Sequence, residues 1–430
     1  MQETFLHFIW QYQYFEKKDL ITSSGTAINI VFPGHSNNDA GPDFSDAQIT
    51  IGDIKWAGNV EIHVKSSFWY AHKHDKDKSY DNVVLHVVWD YDKPVFRTDG
   101  SEIPTLELKN RIDPQLLENS NRLVINSDPI PCSNQLTCID DLVKLSMMDR
   151  VLMQRLERKA LEVMEIFEHA NNNWEECAYQ LLCKNFGFKT NSQPFEQLAK
   201  SISINVLRKH SNSILQIEAF LFGQAGFLDK INSDYQQELE YEYRFLSHKY
   251  KLETKKINKE LWKFARLRPA NFPTIRLAQL SAIIKRTTNL FTSLIELRNY
   301  KEVEKLLKVN LSTYWHNHYQ FGEKSENKVA TIGKSSIENI VINTVAPLLV
   351  AYGKSIDKQE LVDKAISLLE STPPEKNNIT RKWDILGENA TSAFDSQAQI
   401  ELFNNHCKKK RCLQCAVGLQ ILKPNFMEVK

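Results

Sequence analysis

The stretch GPDFSDAQITIGDIKWAGNVEIHVKSSFWYAHKHDKDKSYDNVVLHVV, residues 41–88, decides how the rest of the chain is read. Within it, DAQITI and KWAGNVEIHV alternate apolar and polar residues and are separated by Gly52-Asp53, which predicts a β-hairpin. NVVLHVVWDYD is almost continuously β-branched and aromatic, the composition of an interior strand. Upstream, Phe5, Phe8, Ile9, Tyr12 and Phe15 recur at helical spacing, and TAINIVFPG reads as a short strand ending at Pro33-Gly34. Downstream, KPVFRTDGSEIPTLEL predicts two more short strands around Asp99-Gly100. The expected class is α+β: a small mixed sheet with hairpins over residues 1–126, followed by a mostly α-helical domain.

The period changes after Asp140. Met148, Leu152, Leu156, Ala160, Val163 and Phe167 lie three or four apart, one face of a long helix. Asn173 followed by Glu176 has the spacing of a capping box, with Gly187 as the stop. Residues 211–222, 234–250, 276–297 and 301–307 continue in the same style. Another helix opens at Ser335 and meets Pro347, which should kink or interrupt it. ESTPPEKNN, residues 370–378, reads as a linker. The expected domains are therefore 1–126, 140–370, and a tail over 379–430 that carries a cysteine motif.

Composition narrows the function classes. The 430 residues carry a net charge of +1, so overall charge names no acidic partner and only a local basic patch could. No run of about 18 apolar residues occurs and the first residues lack a secretory pattern, so no membrane association is expected. Seven cysteines, an odd number, do not form a disulfide framework; a reducing cytoplasm is the simpler expectation.

Asp43 follows Pro42 at a strand entrance, and Glu61 lies on the next strand of the hairpin. Two carboxylates converging on one sheet face can hold Mg²⁺ or Mn²⁺ through oxygen, and such an ion assists phosphoryl chemistry. The order helix, strand, Pro-Asp-led hairpin and acidic-x-proton carrier resembles the PD-(D/E)xK phosphodiesterase fold of restriction-endonuclease-like nucleases. That resemblance implies Asp43 and Glu61 as metal ligands. His63 stands where the family has a water-positioning Lys, and Lys65, two residues on, is the alternative. His72 and His74 form a His-x-His pair able to present two imidazoles to one ion or to line the entry. A cupin-like site would want a Glu soon after; Asp75, Asp77 and Lys78 follow instead. His86, inside VVLHVV, reads as a hydrogen-bonded core histidine.

Further blocks broaden the resemblance: GPDFSDAQI, GNVEIHVKSSFW, HKHD, RPANFPTIRLAQL, IGKSSIENIVINTVAPLL and CKKKRCLQCAVG. Together they resemble a bacterial family of conserved hypothetical proteins, domain-of-unknown-function family 2851. This implies one recurring unit over nearly the whole chain and no particular activity.

Residues 249–276 hold many Lys and Arg, with Trp262, Phe264 and Phe272 between them. Arg266, Arg268 and Arg276 are the candidate nucleic-acid contacts, for DNA or RNA. The competing reading is a solvated helix face with Trp262 and Phe264 in the core. In the tail, Cys407, Cys412 and Cys415 have metal-chelating spacing and need a fourth ligand from His406, Cys138 or Cys132. Zinc and an iron–sulfur cluster are both open; some nucleases of the resembled fold build a cluster from one early and three late cysteines. The expected activity is metal-dependent phosphodiester hydrolysis. The alternatives are a non-catalytic nucleic-acid-binding module and a scaffold protein with a structural metal site.

Overall fold

The computed structural model describes residues 2–423 apart from Asn38, Asn327 and Ala330. The chain divides into two compact units, one of residues 1–147 together with 403–430, the other of residues 148–402. The cysteine tail thus belongs to the same unit as the N-terminal sheet.

In the first unit, helix α1 (Glu3–Tyr12) buries Phe5, Leu6, Phe8, Ile9 and Trp10. The Trp10 indole N–H donates to the Pro33 carbonyl at 2.9 Å and pins the helix to the chain leaving the first strand. The strands are β1 (Ile28–Phe32), β2 (His35–Ser36), β3 (Phe44–Ile51), β4 (Ile54–Lys65), β5 (Val83–Asp90) and β6 (Thr105–Glu107). Their order is β1-β3-β4-β5-β6, with β2 on β3. The β1–β3 and β3–β4 pairs are antiparallel, and β4–β5 and β5–β6 are parallel, so the sheet is mixed. Val83–Val88 are all buried, as a strand covered on both faces requires. One of the two short strands expected near Asp99-Gly100 is reduced to a single bridge, Phe96 with Glu102. Pro94 and Pro104 each remove a ladder donor there.

The β3–β4 hairpin carries the decisive irregularity. Its register runs from Ile51 opposite Ile54 to Ala47 opposite Gly58, then shifts by one residue, so that Phe44 faces Val60. Continued without the shift, the ladder would set Asp43 across from Ile62. With it, Asp43 falls beside Glu61, on the face Glu61 shares with His63. The extra residue is accommodated by Asp46 in the left-handed region, φ 58°.

Between β4 and β5 the chain makes one helical turn, α2 (Phe68–Ala71), and two 3-10 turns, His74–Lys76 and Lys78–Tyr80. Helix α3 (Pro114–Ile125) is capped by Asp113, which accepts from the Gln115 N–H. The tail helix Ala416–Leu422 docks on it, and Asn119 Nδ2 donates to the Ile421 carbonyl at 3.1 Å.

The second unit is helical. Asn173 caps Trp174–Phe186 through the N–H groups of Glu175 and Glu176. The other half of the capping box is missing, because the Glu176 carboxylate accepts from Ser203 and from the Ile204 N–H instead. The helix expected over 276–297 is two, Pro273–Arg286 and Leu290–Ile295. Residues 334–355 form one helix that passes Pro347 through a π-turn at Val341–Val345, which absorbs the missing N–H. By length and composition alone that helix could cross a membrane, but 78% of its apolar window is buried inside this unit. The basic stretch is not a helical stripe. Left-handed Lys251, φ 54°, ends the preceding helix at Tyr250, and 3-10 turns follow at Glu253–Lys255, Lys259–Leu261 and Pro269–Asn271. Trp262 is core: its indole donates to the Ala225 carbonyl at 2.9 Å and its ring meets Phe195 edge-on.

The bulge makes a testable demand on one exposed residue. Asp46→Val, which resists the left-handed region, is expected to cost about 1–2 kcal/mol, and Asp46→Gly to be neutral or stabilising. Urea midpoints of the full chain check this; equal midpoints for Val and Gly would refute it.

Candidate metal centre

Parallel pairing sets Glu61 beside His86 and His63 beside Val88, so Glu61, His63 and His86 share one face of the sheet. Asp43 joins them by reciprocal hydrogen bonds: its own N–H donates to Glu61 Oε2 at 3.1 Å, and its Oδ2 accepts from the Ile62 N–H at 2.9 Å. The two carboxylates are locked in one relative position by backbone donors. Lys65 is on the same face but exposed at the strand end, in register with Asp90, and it makes no hydrogen bond to Glu61 or His63.

His72 and His74 arrive by a route the His-x-His pattern did not suggest. The segment is not extended. His72 ends α2, Lys73 adopts the left-handed region at φ 64°, and His74 starts a 3-10 turn. Ser66 and Ser67 hold the start of this loop by donating to Asp92. The reversal at Lys73 points both imidazoles at His63, and one ring nitrogen from each of the three lies within 4.8 Å of the others. His63 Nε2 is 3.1 Å from His72 Nδ1 and 3.6 Å from Glu61 Oε1, and His74 Nε2 is 3.3 Å from the same oxygen. Donors placed 2.0–2.1 Å from a tetrahedral zinc ion lie roughly 3.3 Å apart. Three imidazoles and a carboxylate suit the zinc class of ions better than Mg²⁺, which prefers an all-oxygen shell.

The surroundings fix these donors. His63 Nδ1 meets His86 Nε2 at 2.9 Å. An ion on His63 Nε2 would put the ring proton on Nδ1, where His86 accepts it, the usual outer support of a ligating histidine. Tyr80 stacks on His74 with ring centres 3.7 Å apart, and buried Trp69 lies edge-on to His74. On the open side, His7 of α1 forms an ion pair with Asp43 at 3.3 Å.

Burial dominates the electrostatics. It depresses His63 to about 2, with the neighbouring histidines adding to it, and His86 to about 3, so both are neutral bases. Burial also raises the Glu61 carboxyl, and the nearby Asp43 charge adds to that against the His74 hydrogen bond. For His7, burial is outweighed by Asp43, Glu3 and Glu61, and its affinity for a proton goes up. Sequence reasoning missed His7 and Tyr80 as parts of this site and placed His86 in the core without its partner. The only local signal was His7 standing among the apolar positions of α1.

The cysteines form a second candidate centre in the same unit. The Cys132 thiol is pushed up to about 12 by burial and then by Cys415 and Cys412, and Cys412 up to about 11 by burial and then by Cys415. Cys407 rises too, through burial and then Cys132, Cys415 and Cys412. These couplings place Cys132 in the same region as the tail cysteines, whereas among the described residues only His63, His72 and His74 gather tightly enough to hold one ion. Of the cysteines proposed as fourth ligand, Cys132 is the one coupled to the tail cysteines. Cys138 ends the 3-10 turn Ser133–Cys138 and lines a different cavity, with Thr137 and Asn121. The Cys412–Cys415 turn is tight against the tail helix: a Cβ on Gly418 would come within 2.2 Å of the Cys412 carbonyl oxygen, so only glycine fits.

The basic residues separate. Arg266 and Arg268 are exposed. Arg276 is 3% exposed, bonded inward to Asn271, Gln279 and Ser336, and is not available to a nucleic-acid backbone.

The chain matches the family described as Protein of unknown function (DUF2851) over residues 3–378 and belongs to it. No curated protein and no solved structure matches it.

The buried histidines make stability pH-dependent. Between about 6.5, the unfolded value, and the folded values of about 3 and about 2, the unfolded chain takes up protons that folded His86 and His63 refuse. Stability therefore falls on acidification below about 6.5, by about 1.4 kcal/mol per pH unit for each histidine. His7 works in the opposite sense: its contribution is present below about 6.5 and lost as pH rises through its raised folded value. Urea unfolding of the metal-free chain between pH 6.5 and 4.5 should show the fall, with His86→Phe removing one of the two increments. A flat profile would contradict the burial argument.

Proposed function

We propose that the chain is a metal-dependent phosphodiester hydrolase acting on nucleic acid. His63, His72 and His74 would hold its ion and leave a fourth position open, with Glu61 beside it held in place by Asp43. The carrying observation is the set of donor separations, 3.1, 3.3 and 3.6 Å among four side chains brought from β4 and the following loop. The phosphodiesterase reading is supported by element order. A helix, a strand, a Pro-Asp-led strand and a Glu-x-His strand run as the PD-(D/E)xK resemblance implies, with Asp43 and Glu61 on one face. An ion of the zinc class supplies Lewis acidity towards a phosphoryl oxygen there. His7, 3.3 Å from Asp43, would be the candidate proton donor to a leaving oxygen. Exposed His72 leaves the site open to solvent on one side. Arg266 and Arg268 remain the candidate phosphate contacts. Cys132, Cys407, Cys412 and Cys415 would hold a second, structural centre, zinc or iron–sulfur.

One observation favours a second reading. Glu61 Oε1 lies close enough to His63 and His74 to complete the tetrahedron, and a closed shell is the mark of a structural ion. The chain would then bind nucleic acid, or act as a scaffold, without cutting.

Elemental analysis of the full chain and of Cys412→Ser, followed by cleavage assays on DNA and RNA with Zn²⁺ or Mn²⁺, separates these readings. His74→Ala is expected to lose metal affinity at least about 100-fold, and His86→Phe about 10–100-fold, the usual cost of losing outer support. His7→Gln should lower cleavage while leaving metal content unchanged. Metal bound without cleavage selects the structural reading. No metal in the wild-type chain, with His74→Ala unchanged, would end both.

A further inference from the structure

The second unit holds a buried cation without a counter-ion. Arg276, on the helix Pro273–Arg286, is 3% exposed, yet its hydrogen-bond partners are all neutral. Nη1 donates to Gln279 at 2.9 Å, and Nη2 donates to Asn271 at 2.6 Å and Ser336 at 2.7 Å. The Phe188 ring lies 4.6 Å from the guanidinium carbon. Nε is buried with no partner. Burial lowers this guanidinium to about 10, and no carboxylate acts on it. Buried charges are ordinarily paired, because desolvation costs several kcal/mol per ion.

Arg276 lines a cavity of about 210 Å³. Phe188, Asn271, Ser335, Ser336 and Asn339 line it as well. The 22-residue helix Lys334–Ser355 begins at this cavity. Its N-cap is Gly333, so no side chain satisfies its first N–H groups. Asn271, Thr190 and Ser335 are exposed, which puts the mouth on their side and Arg276 at the floor. The volume is below the roughly 300–1,000 Å³ of sites for drug-sized ligands.

We propose that this cavity binds a small oxyanion, a phosphate group either free or at the end of a short molecule, with Arg276 as its counter-charge. The guanidinium supplies the charge. Ser335 and the first turn of the helix supply neutral donors of the kind that recur at phosphate sites. The segments RPANFPTIR and IGKSSIENI, far apart in sequence, both reach this cavity, which gives their Arg and Ser residues a shared role. The inference does not depend on the metal centre.

Isothermal titration of the full chain with inorganic phosphate, and separately with glycerol 3-phosphate, tests it, with chloride at matched ionic strength as the control. Saturable binding of either anion is expected, with a matching rise in Tm, and Arg276→Met should weaken it at least tenfold. Tighter binding of the ester identifies a phosphorylated small molecule; equal binding identifies the free anion. Should Arg276→Met fail to fold, Ser335→Trp at the exposed mouth is expected to fold and to abolish binding. The proposal is overturned if neither anion binds saturably, or if binding survives unchanged in the variant that folds.

Discussion

The crossed hydrogen bonds from the Asp43 N–H to the Glu61 carboxylate and from the Ile62 N–H to the Asp43 carboxylate are the constraint on which the candidate centre depends. Each carboxylate accepts a backbone N–H of the other strand, so neither side chain is free to rotate away. That lock exists because the β3–β4 ladder gains one residue between Phe44 and Ala47. In a sheet, a slip of one residue exchanges faces. The ladder without its bulge would put Asp43 on the far face from Glu61, His63 and His86, and His7 of α1 would lose its ion-pair partner there. One left-handed aspartate therefore determines whether this face of the sheet holds a cluster or a scatter of polar residues.

Around that lock the unit collects more buried nitrogen than a stable core requires. His63 and His86 are almost fully buried and held neutral, against the unfolded chain's tendency to protonate them. Trp69 and Tyr80 wall the imidazoles on the apolar side. Neutral imidazoles with their lone pairs drawn together are costly unless something cationic lies between them. The thiols of Cys132, Cys407 and Cys412 have their ionisation opposed by burial first and then by other cysteines of the unit. The imidazole cluster is a donor set whose physical cost a metal ion would relieve.

The second unit handles buried charge in two ways. Glu218, fully buried, is surrounded by donors: the Tyr235 hydroxyl at 2.6 Å and the Trp315 indole at 3.0 Å. Burial raises it to about 7, so it can rest neutral. An arginine has no such escape near neutral pH, and Arg276 is given neutral acceptors only. The fold keeps each in its own network.

Much of the architecture was legible in local pattern. Strict alternation announced β3 and β4, unbroken β-branched residues announced β5, and three-and-four spacing announced the long helices, because side-chain periodicity is a property of the backbone itself. The candidates Asp43, Glu61, His63, His72 and His74, and the three tail cysteines, could be named from residue type and spacing. What the tertiary structure alone decided was which of them meet. The register shift at Asp46, the reversal at Lys73, the placing of Cys132 beside the tail cysteines and the burial of Arg276 follow from non-local pairing and from two left-handed residues that no periodicity marks. A chain's own pattern sets the conformation of each segment, whereas the face a residue shares with distant partners is set by how the segments pair.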